Sequence, residues 1–438
     1  MEQSAAARLI STEDAVLEIL HRVSTDRAAL LRCAAACKRW RTLIADRSFL
    51  SRCWPDESAG GRSTLVGFFN RQRVDIDGKP SYRLFFVPPP EGSVLGAQRR
   101  LLTSIVDGLP DDDTHIAKPL AARHGLVLVR LLTGIRRHES VHMAVCDPFA
   151  RTCHLLPPLE CAVCDPFART CHLLPPLECK VSFVSCTFLT GAECHRHHPS
   201  LDYFKVLAVV SFDNPKGKDD RERNLYTFSS AESLWTGPRK CFDEIYRPGK
   251  RGFQFPQISS GNNALCGTTV HWLVPYYFGH LEEPTKYYTL DASSDTGHTS
   301  LTELPTAVSR HITYSNSHST LGVTADGALS LFCINEQALM QRIDVWKRGN
   351  DVDNQVWLHS RVIELPSQAK HLYHLSGVHM LSVEKSDTLL VIDYESQCVH
   401  KVNVETGVVE EQQFQNGLNS IAMPMNMDWP TWFASRLG

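Results

Sequence analysis

The sequence predicts an α+β multidomain protein, in which a small N-terminal three-helix module precedes a larger all-β, propeller-like domain. Three observations support this fold class. Apolar residues near the N-terminus recur with helical spacing, and short β-branched and aromatic segments separated by Gly, Asp and Pro fill the rest of the chain. Some of these short segments also return at a regular interval. With 438 residues, the chain can bury a substantial core.

The first helix is predicted from the segment STEDAVLEILHRV, which begins at Ser11. Val16, Ile19, Leu20 and Val23 follow the i, i+3, i+4, i+7 spacing of one apolar helix face. The serine or the threonine that opens the segment can cap the first turn, and the acidic residues that follow lie at the positive end of the helix dipole. The start of this helix is therefore well marked.

A second helical tract is predicted over residues 26–45, and we expect it to break into two helices. Cys37, Trp40 and Ile44 follow Cys33 at offsets of four, seven and eleven residues, which are helical spacings. A module of roughly 45 residues is below the size at which a single core is comfortably stable. We therefore expect these helices to leave apolar surface for a partner.

Beyond Pro55 the pattern changes to short strands, and five segments look like the second strand of a repeated unit. These segments are GLVLVR at 125, KVLAVVSF at 205, TVHWLV at 269, ALSLF at 328 and TLLVID at 388. The units also end in similar motifs, which are LLPP at 155, WTGP at 235 and ELP at 303 and 364. A sixth, divergent unit is predicted over residues 64–90.

The repeat has a length of about 60 residues, with one exception. The spacings between equivalent points of the five segments are 81, 63, 59 and 60 residues. The longest interval contains an 18-residue tandem copy, AVCDPFARTCHLLPPLEC at 144–161 and again at 162–179, and 81 − 18 = 63 restores the period. Four-stranded units of this length fit propeller blades with long loops. A two-sheet sandwich or a pair of β domains would give similar strand density.

Composition points to no nucleic-acid or membrane partner. The chain has 45 basic and 48 acidic residues, a formal net charge of −3 and no basic patch. Its most apolar stretch, residues 125–135, is much shorter than a membrane-spanning helix. Without a secretory signal, we expect a cytoplasmic or nuclear protein. Most of the fifteen cysteines are therefore interpreted as small buried side chains.

Motifs for catalysis and metal binding are missing from the sequence. There is no phosphate loop, HExxH motif, GxSxG elbow or dinucleotide fingerprint. Cys161 and Cys164 have the spacing of half a zinc site, but they come together only because the two tandem copies abut, and no second CxxC follows. We therefore predict no catalytic residues, no metal site and no cofactor.

The helical module resembles the F-box. The resemblance covers residues 10–53 and rests on EDAVLEILHRV followed by LLRCAAACKRWRTLIADRSFL, with the leucine pair, the Cys-Lys-Arg-Trp-Arg run and the closing Asp-x-x-Phe-Leu in order. It implies binding to the Skp-family adaptor of a cullin-based ubiquitin ligase. A helical dimerisation hairpin is the alternative. The positions that the resemblance divides between the module core and the adaptor face are Ile10, Val16, Leu17, Ile19, Leu20, Leu30, Leu31, Cys37, Trp40, Leu43 and Ile44.

The β region resembles the F-box-associated β domain of plant F-box proteins, through LVGFF, HGLVLV and VCDPFARTCHLLPP. This resemblance implies target recognition by loops at one end of a propeller, without shared catalytic residues. Tyr276, Tyr277 and Phe278, which precede Gly-His, are the candidates for a target-binding loop. Four tryptophans in or beside predicted strands are expected in blade cores instead: Trp235, Trp272, Trp346 and Trp357.

The predicted organisation is an F-box module at 8–54, a linker at 55–63, a propeller-like domain at 64–428 and a C-terminal tail at 429–438. The tail either packs against an early strand and closes the propeller or serves as a free recognition segment. The predicted function is that of a non-enzymatic receptor, which binds the adaptor and an unknown target protein while other subunits transfer ubiquitin. One alternative is a stand-alone propeller that binds a small molecule or glycan. Another is that the duplication disrupts a blade.

Overall fold

A computed structural model provides the structure of the chain. The residues that it describes are 12–55, 63–76, 79–104, 115–133, 142–149, 151–156, 162–165, 170–173, 181–191, 193–194, 203–212, 223–241, 263–276, 286–309, 318–335, 342–349, 356–365, 378–383, 386–414, 418 and 422–437. Within them, a short helical segment precedes an all-β propeller.

The N-terminal helical module contains α1 (Thr12–Val23), α2 (Arg27–Ala36), α3 (Lys38–Ala45) and α4 (Arg47–Cys53). The second tract breaks in two as predicted, because the extended backbone of Cys37 ends α2 and its Sγ accepts a hydrogen bond from the Trp40 N–H at 3.4 Å. The expectation of three helices is wrong. Asp46 starts a further helix, since its Oδ1 accepts hydrogen bonds from the N–H groups of Ser48 (2.8 Å) and Phe49 (3.3 Å).

Antiparallel strands make up most of the rest of the chain. In chain order they are β1 (Ser63–Ile76), β2 (Lys79–Val87), β3 (Arg100–Leu101), β4 (His115–Arg123), β5 (Leu126–Thr133), β6 (His142–Asp147), β7 (Thr152–Leu155), β8 (Ala162–Asp165), β9 (Thr170–Leu173), β10 (Val181–Thr190), β11 (Phe204–Phe212), β12 (Arg223–Ser229), β13 (Leu234–Lys240), β14 (Asn263–Cys266), β15 (Thr269–Tyr276), β16 (Lys286–Ser293), β17 (Thr299–Glu303), β18 (Ser319–Val323), β19 (Leu329–Asn335), β20 (Arg342–Arg348), β21 (Trp357–Glu364), β22 (Val378–Ser382), β23 (Thr388–Asp393), β24 (Cys398–Asn403), β25 (Val409–Gln413) and β26 (Met423–Asp428). Short helix α5 (Thr306–Ser309) precedes β18, and α6 (Trp429–Leu437) follows β26.

Six four-stranded sheets form a six-bladed β-propeller. Blade 1 has the strand order β26-β1-β2-β3, blade 2 is β4 to β7, blade 3 is β10 to β13, blade 4 is β14 to β17, blade 5 is β18 to β21 and blade 6 is β22 to β25. The first strands of several successive blades contact one another and lie innermost. The C-terminal strand β26 completes blade 1 beside β1, which closes the ring.

The repeat predicted from the sequence is confirmed. Each of the five segments coincides with the second strand of a blade, namely β5, β11, β15, β19 and β23, and the divergent early unit is blade 1. The sandwich alternative is wrong. Among the predicted core tryptophans, Trp272, Trp346 and Trp357 are buried and Trp235 is half-buried.

The tandem copies form two hairpins with the same register. The first copy supplies β6 and β7, the outer strands of blade 2, in which Cys146 lies opposite Cys153. The second supplies β8 and β9, in which Cys164 lies opposite Cys171 and which form a separate two-stranded sheet. Blade 2 therefore keeps four strands despite the duplication.

Residues 429–437, predicted as a C-terminal tail, form helix α6, which packs between the propeller and the helical module. The Trp429 indole N–H donates to Thr64 Oγ1 at 2.7 Å on β1, so this segment packs against an early strand, as one of the two alternatives proposed. Pro430 takes the second position of the helix, and Asp428 caps it by accepting from the Thr431 N–H at 3.2 Å.

The module and blades 1 and 2 share one hydrophobic core, with α6 at its centre. The Trp54 ring lies 6.0 Å from that of Phe433. Gly125 is required at the β4–β5 turn, because its φ is +81° and a Cβ there would come within 2.6 Å of Met427 Cε and 3.3 Å of Trp432 Cδ1. The helical module is therefore packed onto the propeller, and residues 56–62 of the predicted linker lie outside the described residues.

Candidate functional site

The outer surface of α1 is the first candidate site. Ile19 is 56 % exposed, whereas the adjacent Leu20 is fully buried. Exposure of a large aliphatic side chain to water is unfavourable, and a partner that covered it would gain free energy. Leu155 and Leu234 are exposed to a similar extent, but among the large exposed hydrophobic residues of the described part, Ile19 is the one in the segment that resembles the F-box, so it is the candidate anchor of a docking surface.

The structure divides the residues of the F-box resemblance into three classes. Leu20, Leu30 and Ile44 are buried in the module core. Ile19 and Cys37 are exposed. The half-buried residues of this set are Val16, Leu17, Leu31, Trp40 and Leu43. Ile10 lies outside the described residues.

Ion pairs orient α1 relative to α3 and α4. Glu18 accepts hydrogen bonds from Arg52 of α4 at 2.5 Å and from Arg22 one turn away at 3.2 Å. These hydrogen bonds, from Arg52 first and then Arg22, lower the pKa of Glu18. Arg39 of α3 lies 3.8 Å from Glu13. Because all these groups are exposed, the pairs contribute little to stability.

A polar and aromatic cluster holds α6 against blade 2. Arg436 donates to Asp147 Oδ2 at 2.6 Å, and this aspartate is 5 % exposed. Phe149 packs edge-on against Trp429 at a centroid distance of 6.1 Å and lies 5.4 Å from Trp432. Helix α6 also contacts α3 and α4. The cluster therefore holds the helical module, including α1, in one orientation relative to the propeller.

A buried ion-pair network connects the end of β4 and the start of β14 with Glu193, which follows β10. Arg123 at the end of β4 lies 3.3 Å from Glu193, and its other terminal nitrogen donates to Asn263 of β14 at 3.4 Å. His124 lies 3.3 Å from the same glutamate. Burial opposes ionisation of Glu193, but the charges and hydrogen bonds of His124, Arg123 and the Thr190 N–H lower its pKa to about 2.

The innermost strands also carry buried polar atoms that find no hydrogen-bond partner among the described residues. These are the hydroxyls of Thr187 and Thr190 on β10, Nδ1 of His379 on β22 and Oδ1 of Asn426 on β26. Burial and the charge of His318 lower the pKa of His379 to about 4, so its ring is neutral at physiological pH. Buried polar groups of this kind call for water or a ligand.

Most of the residues predicted for target binding lie outside the described residues. Tyr276 ends β15 in blade 4, and its side chain lies outside the described part. Tyr277 and Phe278 also lie outside the described residues. The target-binding loop therefore stays a prediction.

One group of potential metal ligands occurs within the described part of the chain. Cys398, His400 and Glu411 place three ligand atoms within 4.8 Å of one another. The side chains of Cys161 and Cys164, the CxxC rejected from the sequence, lie outside the described residues.

Sequence reasoning missed the Arg123–Glu193 network and the α6 cluster. The two partners of the network are 70 residues apart, and Asp147 and Arg436 are 289 residues apart. Such pairs become neighbours only when distant parts of the chain pack together, and no local spacing in the sequence predicts them.

Comparison with known proteins gives likenesses to solved structures only. No protein-family model and no curated protein matches the chain. A chain of a nidogen–laminin complex is similar at 7 % identity and a TM-score of 0.36, covering 83 % of this chain and 97 % of its own. The Fusarium graminearum α-L-arabinofuranosidase is 9 % identical over 79 % of this chain and 85 % of its own, with a TM-score of 0.36. The Penicillium chrysogenum α-L-arabinanase is 8 % identical over 69 % and 82 %, with a TM-score of 0.39. Likenesses this weak carry no argument about ligand or activity.

Among the helices within the described residues, none has the length and apolar character needed to cross a membrane.

Proposed function

We propose that this chain is the target-recognition subunit of a cullin-based ubiquitin ligase. Its helical module binds a Skp-family adaptor, and its propeller binds a target protein. The chain itself contributes proximity between the target and the subunits that transfer ubiquitin, and it needs no catalytic residues for this role.

The observation that carries the proposal is the exposed side chain of Ile19, on a helix whose sequence resembles the F-box. The half-buried residues Trp40 and Leu43 on α3 belong to the same resemblance and pack at the edge of the module core. An interface of this kind needs a few apolar anchors surrounded by a polar rim. The exposed ion pairs of Glu13 and Glu18 supply charged groups on the same helix.

The contacts that hold α6 against blade 2 also support the proposal. A receptor that positions a target must hold its adaptor-binding and target-binding parts in a defined orientation. The shared core and the Asp147–Arg436 pair provide such a connection between the helical module and blade 2.

Co-purification with a recombinant Skp-family adaptor tests the proposal. We expect stoichiometric capture by the intact chain, and about 30-fold weaker affinity for Ile19→Arg, as for loss of an interface hot spot worth about 2 kcal/mol. Leu234→Arg is the matched control, because Leu234 is an isomeric residue with 53 % exposure on blade 3. Circular dichroism verifies that both variants fold.

Two results would count against the adaptor role. The first is the absence of capture by a folded intact chain. The second is a dimer of the chain alone, seen by light scattering, that Ile19→Arg dissociates. That second result would favour the dimerisation hairpin.

A second candidate function is binding of a small polar ligand, such as a glycan, at the propeller axis. The unpartnered buried hydroxyl of Thr187 on the innermost strand β10 favours it, because a hydroxyl-rich ligand could satisfy this group. Calorimetric titration with a panel of small sugars would test this candidate. Binding that is lost in Thr187→Val would support it, and no heat from any sugar in the panel would count against it.

A further inference from the structure

The outer half of blade 6 brings together three side chains of types that bind transition metals. Cys398 and His400 are two residues apart on β24, so their side chains point to the same face of the sheet. Glu411 on β25 is the direct cross-strand partner of His400. One ligand atom from each of the three lies within 4.8 Å of the other two.

Burial distinguishes this group from an ordinary surface cluster. Cys398 is 2 % exposed and His400 is 3 % exposed, whereas Glu411 is exposed on the outermost strand. His400 Nδ1 is buried and has no hydrogen-bond partner among the described residues. A buried ring nitrogen without a partner is costly and calls for an explanation, of which an ion is one.

We propose that Cys398, His400 and Glu411 form a binding site for a divalent transition metal of the zinc class. Thiolate and imidazole ligands favour zinc-like ions over magnesium and calcium. Three protein ligands leave one position of a tetrahedral ion open to solvent. Binding displaces the thiol proton of Cys398 to solvent and involves no change of oxidation state.

The geometry allows the three ligands to close around an ion. With metal–ligand bonds of about 2.0–2.3 Å, the ligand atoms of a tetrahedral site lie roughly 3.3–3.7 Å apart. The observed separations require an adjustment of about 1.5 Å at most. Glu411 can supply this movement, because its side chain stands at the solvent-exposed edge of the blade.

The surroundings of the group favour a cation. Asp393 is 3 % exposed and lies opposite Cys398 on β23, so it adds a second carboxylate near the thiol. A bound cation would offset the negative charges of Glu411 and Asp393. On the same face, Val391 and Val402 pack in the core between blades 5 and 6 and keep the inner side dry.

Titration of the metal-stripped full chain with Co²⁺ tests the site, with Co²⁺ as a spectroscopic substitute for Zn²⁺. We expect a thiolate-to-cobalt charge-transfer band that saturates at one equivalent and disappears when Zn²⁺ is added. Cys398→Ala should abolish the band. Cys333→Ala is the matched control, because Cys333 is a fully buried cysteine of blade 5 outside the group, and this variant should keep the band.

Glu411→Gln separates a ligand role from a structural one, because this exposed side chain can change without disturbing the core. We expect about 100-fold weaker Co²⁺ affinity with the thiolate band retained, since loss of even a supporting partner of a metal ligand costs roughly 10–100-fold. The proposal is overturned by a folded intact chain without the band, by a band that survives in Cys398→Ala, or by unchanged affinity in Glu411→Gln. These results do not depend on adaptor binding.

Discussion

The chain contains the same 18 residues twice, and the two copies occupy different places in the fold. Both form a hairpin in one register, with Cys146 opposite Cys153 in the first copy and Cys164 opposite Cys171 in the second. The first copy extends β5 and completes blade 2. Among the described residues, the second copy pairs only with itself. The local sequence therefore determines that the hairpin forms. It does not determine whether the hairpin becomes part of a blade.

Contacts beyond the hairpin account for this difference. The first copy packs on both faces: the His154 ring lies 5.6 Å from Phe204 of blade 3, and Phe149 meets Trp432 of α6. An isolated two-stranded hairpin is marginally stable in water, and neighbouring surfaces normally provide its stability. Blade 2 has one position for such a hairpin, beside β5, and the first copy occupies it.

The largest expected difference between the copies comes from their phenylalanines. Phe149→Ala should lower the free energy of unfolding by about 2–3 kcal/mol, because the ring is half-buried against two tryptophans. Phe167→Ala, the same change in the second copy, should cost less than this, because the strands of the second hairpin do not join a blade. Urea denaturation followed by tryptophan fluorescence measures both. Equal losses in the two variants would contradict the asymmetry.

Substitutions of the aspartates in the two copies should differ less in their effect on the free energy of unfolding. Asp147→Asn removes the charge that pairs with Arg436 in a largely buried setting, so we expect a loss of about 2 kcal/mol in the free energy of unfolding. Asp165→Asn should cost less, because the strands of the second hairpin do not join a blade. Thermal denaturation of the pair provides the comparison. A smaller effect at position 147 than at position 165 would refute the assignment of the pair to α6 docking.

The smallest effect is expected from removing one copy. Deletion of residues 162–179 gives the same chain as deletion of 144–161, and it restores the 63-residue spacing. Because blade 2 already has its four strands, the melting temperature should change by no more than about 2 °C. A clear rise would mean that the extra hairpin strains the ring, and a clear fall would mean that the hairpin contributes to stability.

The propeller could be predicted from the sequence because its signals are local and repeated. The second strand of each blade is a short apolar run at a constant interval, and the tandem copy accounts for the one irregular spacing. The helices that the sequence missed have weaker signals. Helix α4 has only seven residues and depends on the Asp46 cap, while α6 is marked mainly by Asp428 and Pro430 at its start.

The candidate sites could be predicted only in part. Helical spacing puts Ile19 and Leu20 on the same apolar stripe, so it cannot show that one is exposed and the other is buried. Only the packing of α1 against its neighbours decides this. Likewise, Glu411 comes next to His400 through the β24–β25 register, at a spacing that no metal motif contains.

Hydrogen exchange of the intact chain, with and without a purified Skp-family adaptor, tests the central claim most directly. We expect slower amide exchange within residues 12–45, which include α1 to α3, and unchanged exchange in blades 3 to 6. This pattern would place the adaptor on the helical module and leave the propeller available for a target. Protection confined to the propeller, or no protection anywhere at saturating adaptor, would contradict the proposed function.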